Sequence, residues 1–126
     1  MDCSARPSAQ QLALMASQAE LLNKAAARIL GRAPETTAIW CYGLNALEPE
    51  NATHQWDFIA FVDAQCNTER LDQLNKLGGP LDSLPRCGNH HLDVQALLAN
   101  DQSPCARLVR REGFCIWHKP AITLAA

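Results

Sequence analysis

The chain has 126 residues, 48% of them apolar, which is enough for one buried core but too little for two ordinary domains. Eleven Lys and Arg stand against 13 Asp and Glu, and the net charge of -2 excludes a global field that would draw the protein onto nucleic acid or an acidic membrane. Met1 to Pro7 is not followed by an apolar segment of signal-peptide length, and no apolar run approaches the roughly 20 residues that cross a bilayer, so a single domain with a cytoplasmic address is expected.

Ser8 with Gln11 makes a capping box. Leu12, Met15, Ala19, Leu22, Ala26, Ile29 and Leu30 follow at helical spacing up to Gly31, which predicts one long helix over 8–30. After the Arg32 to Glu35 turn, Thr37 to Tyr42 is a short run rich in β-formers and closed by Gly43, a predicted first strand. A polar loop, Glu48 to Thr53, leads to Trp56 to Val62, nearly continuously apolar, as expected of a strand that helices cover on both faces. Thr68 is the expected N-cap of a helix through Leu71, Leu74 and Leu77, which Gly78-Gly79-Pro80 ends before an irregular stretch to Asn89. His90 to Leu97 is the third predicted strand. Ser103-Pro104 opens a helix at its cap and first-turn positions, Gly113 stops it, and Phe114 to Trp117 is the last strand. The expected class is α/β (α+β), a small mixed sheet of about four strands flanked by helices, with a core over 37–118.

Six cysteines, Cys3, Cys41, Cys66, Cys87, Cys105 and Cys115, contain no Cys-x-x-Cys, and nothing signals export, so reduced thiols acting mostly as small core hydrophobes are expected. Cys87, His90 and His91 invite a zinc reading, but successive strand residues point to opposite faces and both histidines do not readily reach one ion. Arg107, Arg110 and Arg111 share a helix face that would meet phosphate, a partner or simply water. Trp40, Trp56 and Trp117 belong to strands and are expected in the core rather than as platforms for stacking bases. Gly43 taken alone is a turn residue needing a positive φ. Asp57, inside Trp56-Asp57-Phe58, is either a surface residue starting a strand or a charge that must find water, a partner or a metal, and Asp93 presents the same choice.

Taken together, Gly43-Leu44, Gln55-Trp56-Asp57, Leu92-Asp93-Val94 and the ending Arg110 to Trp117 resemble the minimal nucleotidyltransferases of the DNA polymerase β superfamily. In that family a strand ends in Gly-Ser, whose backbone and hydroxyl hold nucleotide phosphates; an Asp-x-Asp pair enters the next strand, and a third carboxylate lies between hydrophobic residues on a neighbouring one. The resemblance spans roughly Ala38 to His118 and implies a nucleotidyltransferase-like fold. It also implies a phosphate-binding turn at Gly43, Leu44 and Asn45, with Asp57 and Asp93 as metal ligands.

The departures are chemical. Gln55 stands where the first carboxylate belongs and offers a neutral amide oxygen, so a second metal ion would be held by less Coulomb attraction. Leu44 stands where the serine belongs and has no donor for a phosphate. Glu48 replaces the family's second glycine and would repel phosphate if it faced the site. The expected function is therefore a nucleotidyltransferase-fold protein with a degenerate site, Gln55, Asp57 and Asp93 being vestigial and Mg²⁺ held weakly. Such a protein would act by binding a nucleotide or a protein partner; related small domains are often antitoxin-like partners of HEPN-type helical proteins, a role that the resemblance allows here. The alternatives are an active metal-dependent transferase placing a nucleoside monophosphate on a hydroxyl, and a structural module that self-associates.

Overall fold

The computed structural model describes residues 6–120. The Ser8 capping box forms as expected: Gln11 N donates to Ser8 Oγ at 3.0 Å and Ser8 N donates to Gln11 Oε1 at 3.0 Å. The helix it starts is not continuous. Helix α1, Ala9–Ser17, ends at Gln18, whose φ of -113° leaves helical geometry, and α2, Ala19–Arg32, begins on the other side. Ser17 Oγ donates to the Leu14 carbonyl at 3.1 Å, the kind of local side-chain competition that bends helices. At its far end α2 runs through Gly31 to Arg32 rather than stopping at Gly31.

The sheet order is β3-β2-β1-β4. Strands β1 (Thr36–Tyr42) and β2 (Gln55–Val62) are antiparallel, β3 (His91–Leu98) runs parallel to β2, and β4 (Phe114–His118) lies antiparallel on the other edge of β1. This is the expected mixed four-stranded sheet flanked by helices. Between β1 and β2 the chain is not simply a polar loop: Leu44–Leu47 forms one helical turn, α3, followed by a 3₁₀ turn at Pro49–Asn51. The parallel step from β2 to β3 requires a crossover, supplied by α4, Thr68–Asn75. Its N-cap is Asn67, not Thr68, with Asn67 Oδ1 accepting from Arg70 N at 2.8 Å. It closes before Leu77, which is 88% exposed, because the Asn75 amide is engaged by the edge of β3, accepting from Ala96 N and donating to Ala96 O. Helix α5, Pro104–Glu112, has the expected Ser103 cap and first-turn proline.

Strand alternation sorts the core into two layers. Ile39, Cys41, Trp56, Phe58, Ala60, Val62, Leu92, Val94 and Ala96 face Leu14, Leu21, Leu22, Ala25, Ile29 and Leu74 from α1, α2 and α4. On the opposite side, Ala38, Trp40, Ile59 and Phe61 pack with Ala106 and Val109 of α5, with Tyr42, Leu97 and Cys115 at the margin. All three tryptophans pack into these layers, Trp117 at its margin. The buried Gln11 amide ties α1 to the rest, donating to Ala46 O at 2.9 Å and Glu112 O at 3.1 Å. Gly113, which ends α5, lies so close to the Cys41 carbonyl that a Cβ there would collide with it.

Not every cysteine is a free thiol. Cys41, Cys66, Cys87 and Cys105 are free, but Cys115 is disulfide-bonded, and Cys3 lies outside the described residues. Only Cys41 and Cys87 of the free four are buried. No helix among the described residues is long and apolar enough to cross a membrane.

Candidate functional site

Asp57 is the second residue of β2 after Gln55, and its parallel register partner on β3 is Asp93. Partners in register show their side chains on the same face, so the two carboxylates are neighbours. On the other flank, Tyr42 at the end of β1 is the antiparallel partner of Asp57. Gln55 and His91 are partnered two residues earlier along the same strands, hence on the same face. The five side chains thus occupy one end of the sheet face on which α5 packs, with Tyr42 at the margin of the apolar cluster that α5 forms with Trp40, Ile59 and Phe61.

The Gly43 turn closes against this group. Gly43 has φ of 78°, a conformation that disfavours any Cβ, and a Cβ built there would stand 2.6 Å from Asp57 Oδ2. Conformation and close approach therefore demand glycine independently.

Electrostatics marks the pair as unrelieved. The Asp57 carboxyl, half-buried, is raised above the ordinary carboxylate range, first by burial and then by the charge of Asp93; a hydrogen bond from Gln55 and the nearby His91 act the other way. The Tyr42 phenol is pushed up to about 12 by burial, then by Asp57 and Asp93, with Cys105 on α5 also contributing. Asp93 itself is exposed. Such a group favours taking up a proton or a cation. Two carboxylates and one amide oxygen form a donor set for a single hard cation, since Mg²⁺ is commonly held by one or two carboxylates plus phosphates. Among the described residues there is no group of three or more His, Cys, Asp or Glu able to hold a metal ion.

The remaining sequence candidates separate. Leu44 opens α3 and is 50% exposed, presenting an apolar side chain beside the turn. Asn45 is buried and its amide works for the fold: it donates to Thr53 O at 3.2 Å and Gln55 O at 3.0 Å and accepts from Thr53 N at 2.8 Å, clamping the entry to β2. That side chain is not free for a phosphate. Glu48 ends α3 and is exposed. Arg110 leaves the expected arginine face, donating to Asp101 O and Ala99 O and lying over the Phe61 ring at 4.8 Å. His90 and His91 diverge: His90 Nδ1 accepts from Trp56 Nε1 at 3.0 Å, whereas His91 acts on Asp57. Tyr42 and His91 were not among the expected site residues. Tyr42 had a signal, since it precedes Gly43 and continues the Ala38, Trp40 alternation; His91 becomes visible only through the parallel register of β3 on β2.

No family profile, no curated protein and no solved structure matches the chain.

Proposed function

We propose that the protein is a nucleotidyltransferase-fold domain with a degenerate active site, which binds a nucleotide or a protein partner and does not transfer nucleotides at a useful rate. The observation that carries this reading is the register pairing of Asp57 with Asp93 beside the Gly43 turn. Three separated motifs that resemble the family's site thereby lie at one end of one sheet face.

The loss of activity rests on Gln55 and Leu44. Phosphoryl-type transfer depends on positioning and on cations that neutralise developing charge. Asp57 and Asp93 would hold one Mg²⁺, which when bound would neutralise phosphate charge; Gln55 brings no charge for a second ion. At Leu44 the missing hydroxyl leaves the turn without its side-chain donor. A lost transition-state contact costs about 10²- to 10³-fold, so two such losses remove most activity.

Partner binding has its own support: Leu44 at 50% and Leu47 at 56% exposure lie on the single turn of α3, which follows the Gly43 turn. An exposed apolar pair beside the Gly43 turn suits a covering protein, and the resemblance allows a HEPN-type helical one. The transferase alternative keeps one observation in its favour, the intact Asp57 and Asp93. The reading takes the cytoplasm as the working compartment, supported by four free thiols, with the Cys115 disulfide arguing the other way.

The test is a thermal-shift series with ATP, CTP, GTP and UTP, each with and without Mg²⁺ or Mn²⁺, alongside a transfer assay with labelled nucleotide. Metal-dependent stabilisation by at least one nucleotide without transfer is expected. Efficient transfer abolished by Asp57→Asn promotes the enzyme reading.

A further inference from the structure

We propose that the end of α3 and the outward side of α5 form one self-complementary surface on which a second copy of the chain docks about a two-fold axis. This goes beyond the nucleotide reading and does not depend on it: it names the occupant of the face that includes Leu47.

The surface has two halves that meet at Glu112. The buried Gln11 amide donates to Ala46 O at 2.9 Å and to Glu112 O at 3.1 Å, which brings the last turn of α3 beside the last turn of α5. On one side of that junction Leu47, Glu50 and Glu112 line a groove of about 390 Å³, and the exposed Glu48 follows Leu47 in the chain. On the other side Arg107, Leu108 and Arg111 line a groove of about 520 Å³ along α5. Helix α5 buries Ala106 and Val109 against the sheet, so these three residues take its outward side, and all three are exposed. Leu108 stands one turn before Glu112 and is its neighbour on the helix surface.

An apolar centre, Leu47 and Leu108, therefore lies between an acidic half, Glu48 and Glu50, and a basic half, Arg107 and Arg111. Among the described residues no ion pair engages Glu48, Glu50 or Arg107, and Arg111 reaches Glu112 alone, at 3.4 Å. Two copies with a net charge of -2 repel weakly at long range, so a local pattern of opposite charge must bring them together. A two-fold axis near Glu112 sets the acidic half of each copy on the basic half of the other, twice, with Leu47 of one copy against Leu108 of its partner. Other registers place like charges together, so the pattern selects this one. A different protein would need to match one half only; both halves on one chain fit a second copy of that chain.

Sedimentation equilibrium tests this in a Cys105→Ser background, so that the exposed thiol on this face cannot cross-link copies. The chain should form a dimer with a dissociation constant on the order of 10–100 µM, as suits a small contact. Raising the salt from about 0.05 M to about 0.5 M should weaken it at least about threefold. Arg107→Glu with Arg111→Glu, and separately Glu48→Arg with Glu50→Arg, should each weaken the dimer at least about tenfold, and so should Leu47→Ser with Leu108→Ser. Mixing the two charge-reversed chains in equal amounts should restore a dimer of one copy of each, to within about threefold of the starting affinity, because both reciprocal contacts again join opposite charges. That recovery also shows that the two variants fold. A chain monomeric up to about 1 mM, a dimer that survives both charge reversals, or a mixture that stays monomeric overturns the proposal.

Discussion

The two faces of the sheet are built differently. One is sealed by α1, α2 and α4 along its whole length, and Trp56, Phe58, Ala60 and Val62 are fully buried there. The other carries α5 alone, which covers Trp40, Ile59 and Phe61, has Tyr42 at its margin and leaves Asp93 exposed. Strand β3 shows the contrast within one element: Leu92, Val94 and Ala96 are buried, while His91, Asp93 and Gln95 are exposed. Apolar burial drives folding, so a sealed face stabilises; where the cover ends, ionisable groups are tolerated because water still reaches them. Stability and chemistry are thereby divided between opposite sides of the same strands.

The largest expected effect lies on the sealed face. Phe58→Ala should cost about 3–5 kcal/mol of unfolding free energy in a urea titration, the usual cost of emptying an aromatic site in a packed core. A loss near zero there would mean that the sealed face is not the source of stability. Next comes the boundary between the two regimes: Gly43→Ala should cost about 2 kcal/mol, since it forces a side chain into positive φ and toward the Asp57 carboxylate. Asp57→Gly in that background should recover only the part due to the collision.

Acid should disturb the sealed face through the polar link at Trp56. His90 Nδ1 accepts the Trp56 Nε1 proton, and both burial and the nearby His54 hold His90 below its ordinary pKa of 6.5. The unfolded chain therefore binds this proton more readily than the folded one. The stabilisation is complete above pH 6.5 and is lost as the pH falls from 6.5 toward the depressed folded value. Urea midpoints followed by tryptophan fluorescence should decline across that window, and His90→Gln should flatten the decline. Asp57 acts in the opposite sense, because its raised folded pKa favours the fold as the carboxyl protonates. The smallest effect belongs to the open end: Asp93→Asn should change stability by no more than about 0.5 kcal/mol, as expected for an exposed charge. By NMR, the same change should bring the Asp57 pKa back toward the ordinary carboxylate range.

Strands and caps were legible in the sequence because their signals are local. Val, Ile and aromatic runs bounded by glycine fixed the strands, and Ser8-Gln11 and Ser103-Pro104 fixed two helix starts. Ser17 and Gln18 gave no comparable warning, since a single turn of back-bonding ended α1 inside an otherwise unbroken apolar period. Leu77 continued the helical spacing of α4, but a long-range bond from Asn75 to β3 ended the helix first. At the site, Gly43, Asp57 and Asp93 were legible through their motif context. Asn45 was misleading because the sequence does not show that its amide is spent on Thr53 and Gln55. The Cys115 disulfide had no spacing signal at all.

In the proposed reading, this end of the sheet kept a nucleotide site and lost the groups that drive transfer. This is tested most directly by comparing Mg²⁺-dependent nucleotide affinity in the natural chain, in the Leu44→Ser, Gln55→Asp double variant, and in that variant carrying Asp57→Asn. Restoring a phosphate donor and a third carboxylate should tighten Mg²⁺-dependent binding by about tenfold or more, with Asp57→Asn reversing the gain. If the double variant binds no better than the natural chain while remaining folded, or if the natural chain already transfers nucleotide efficiently in an Asp57-dependent way, the degenerate-site account is contradicted.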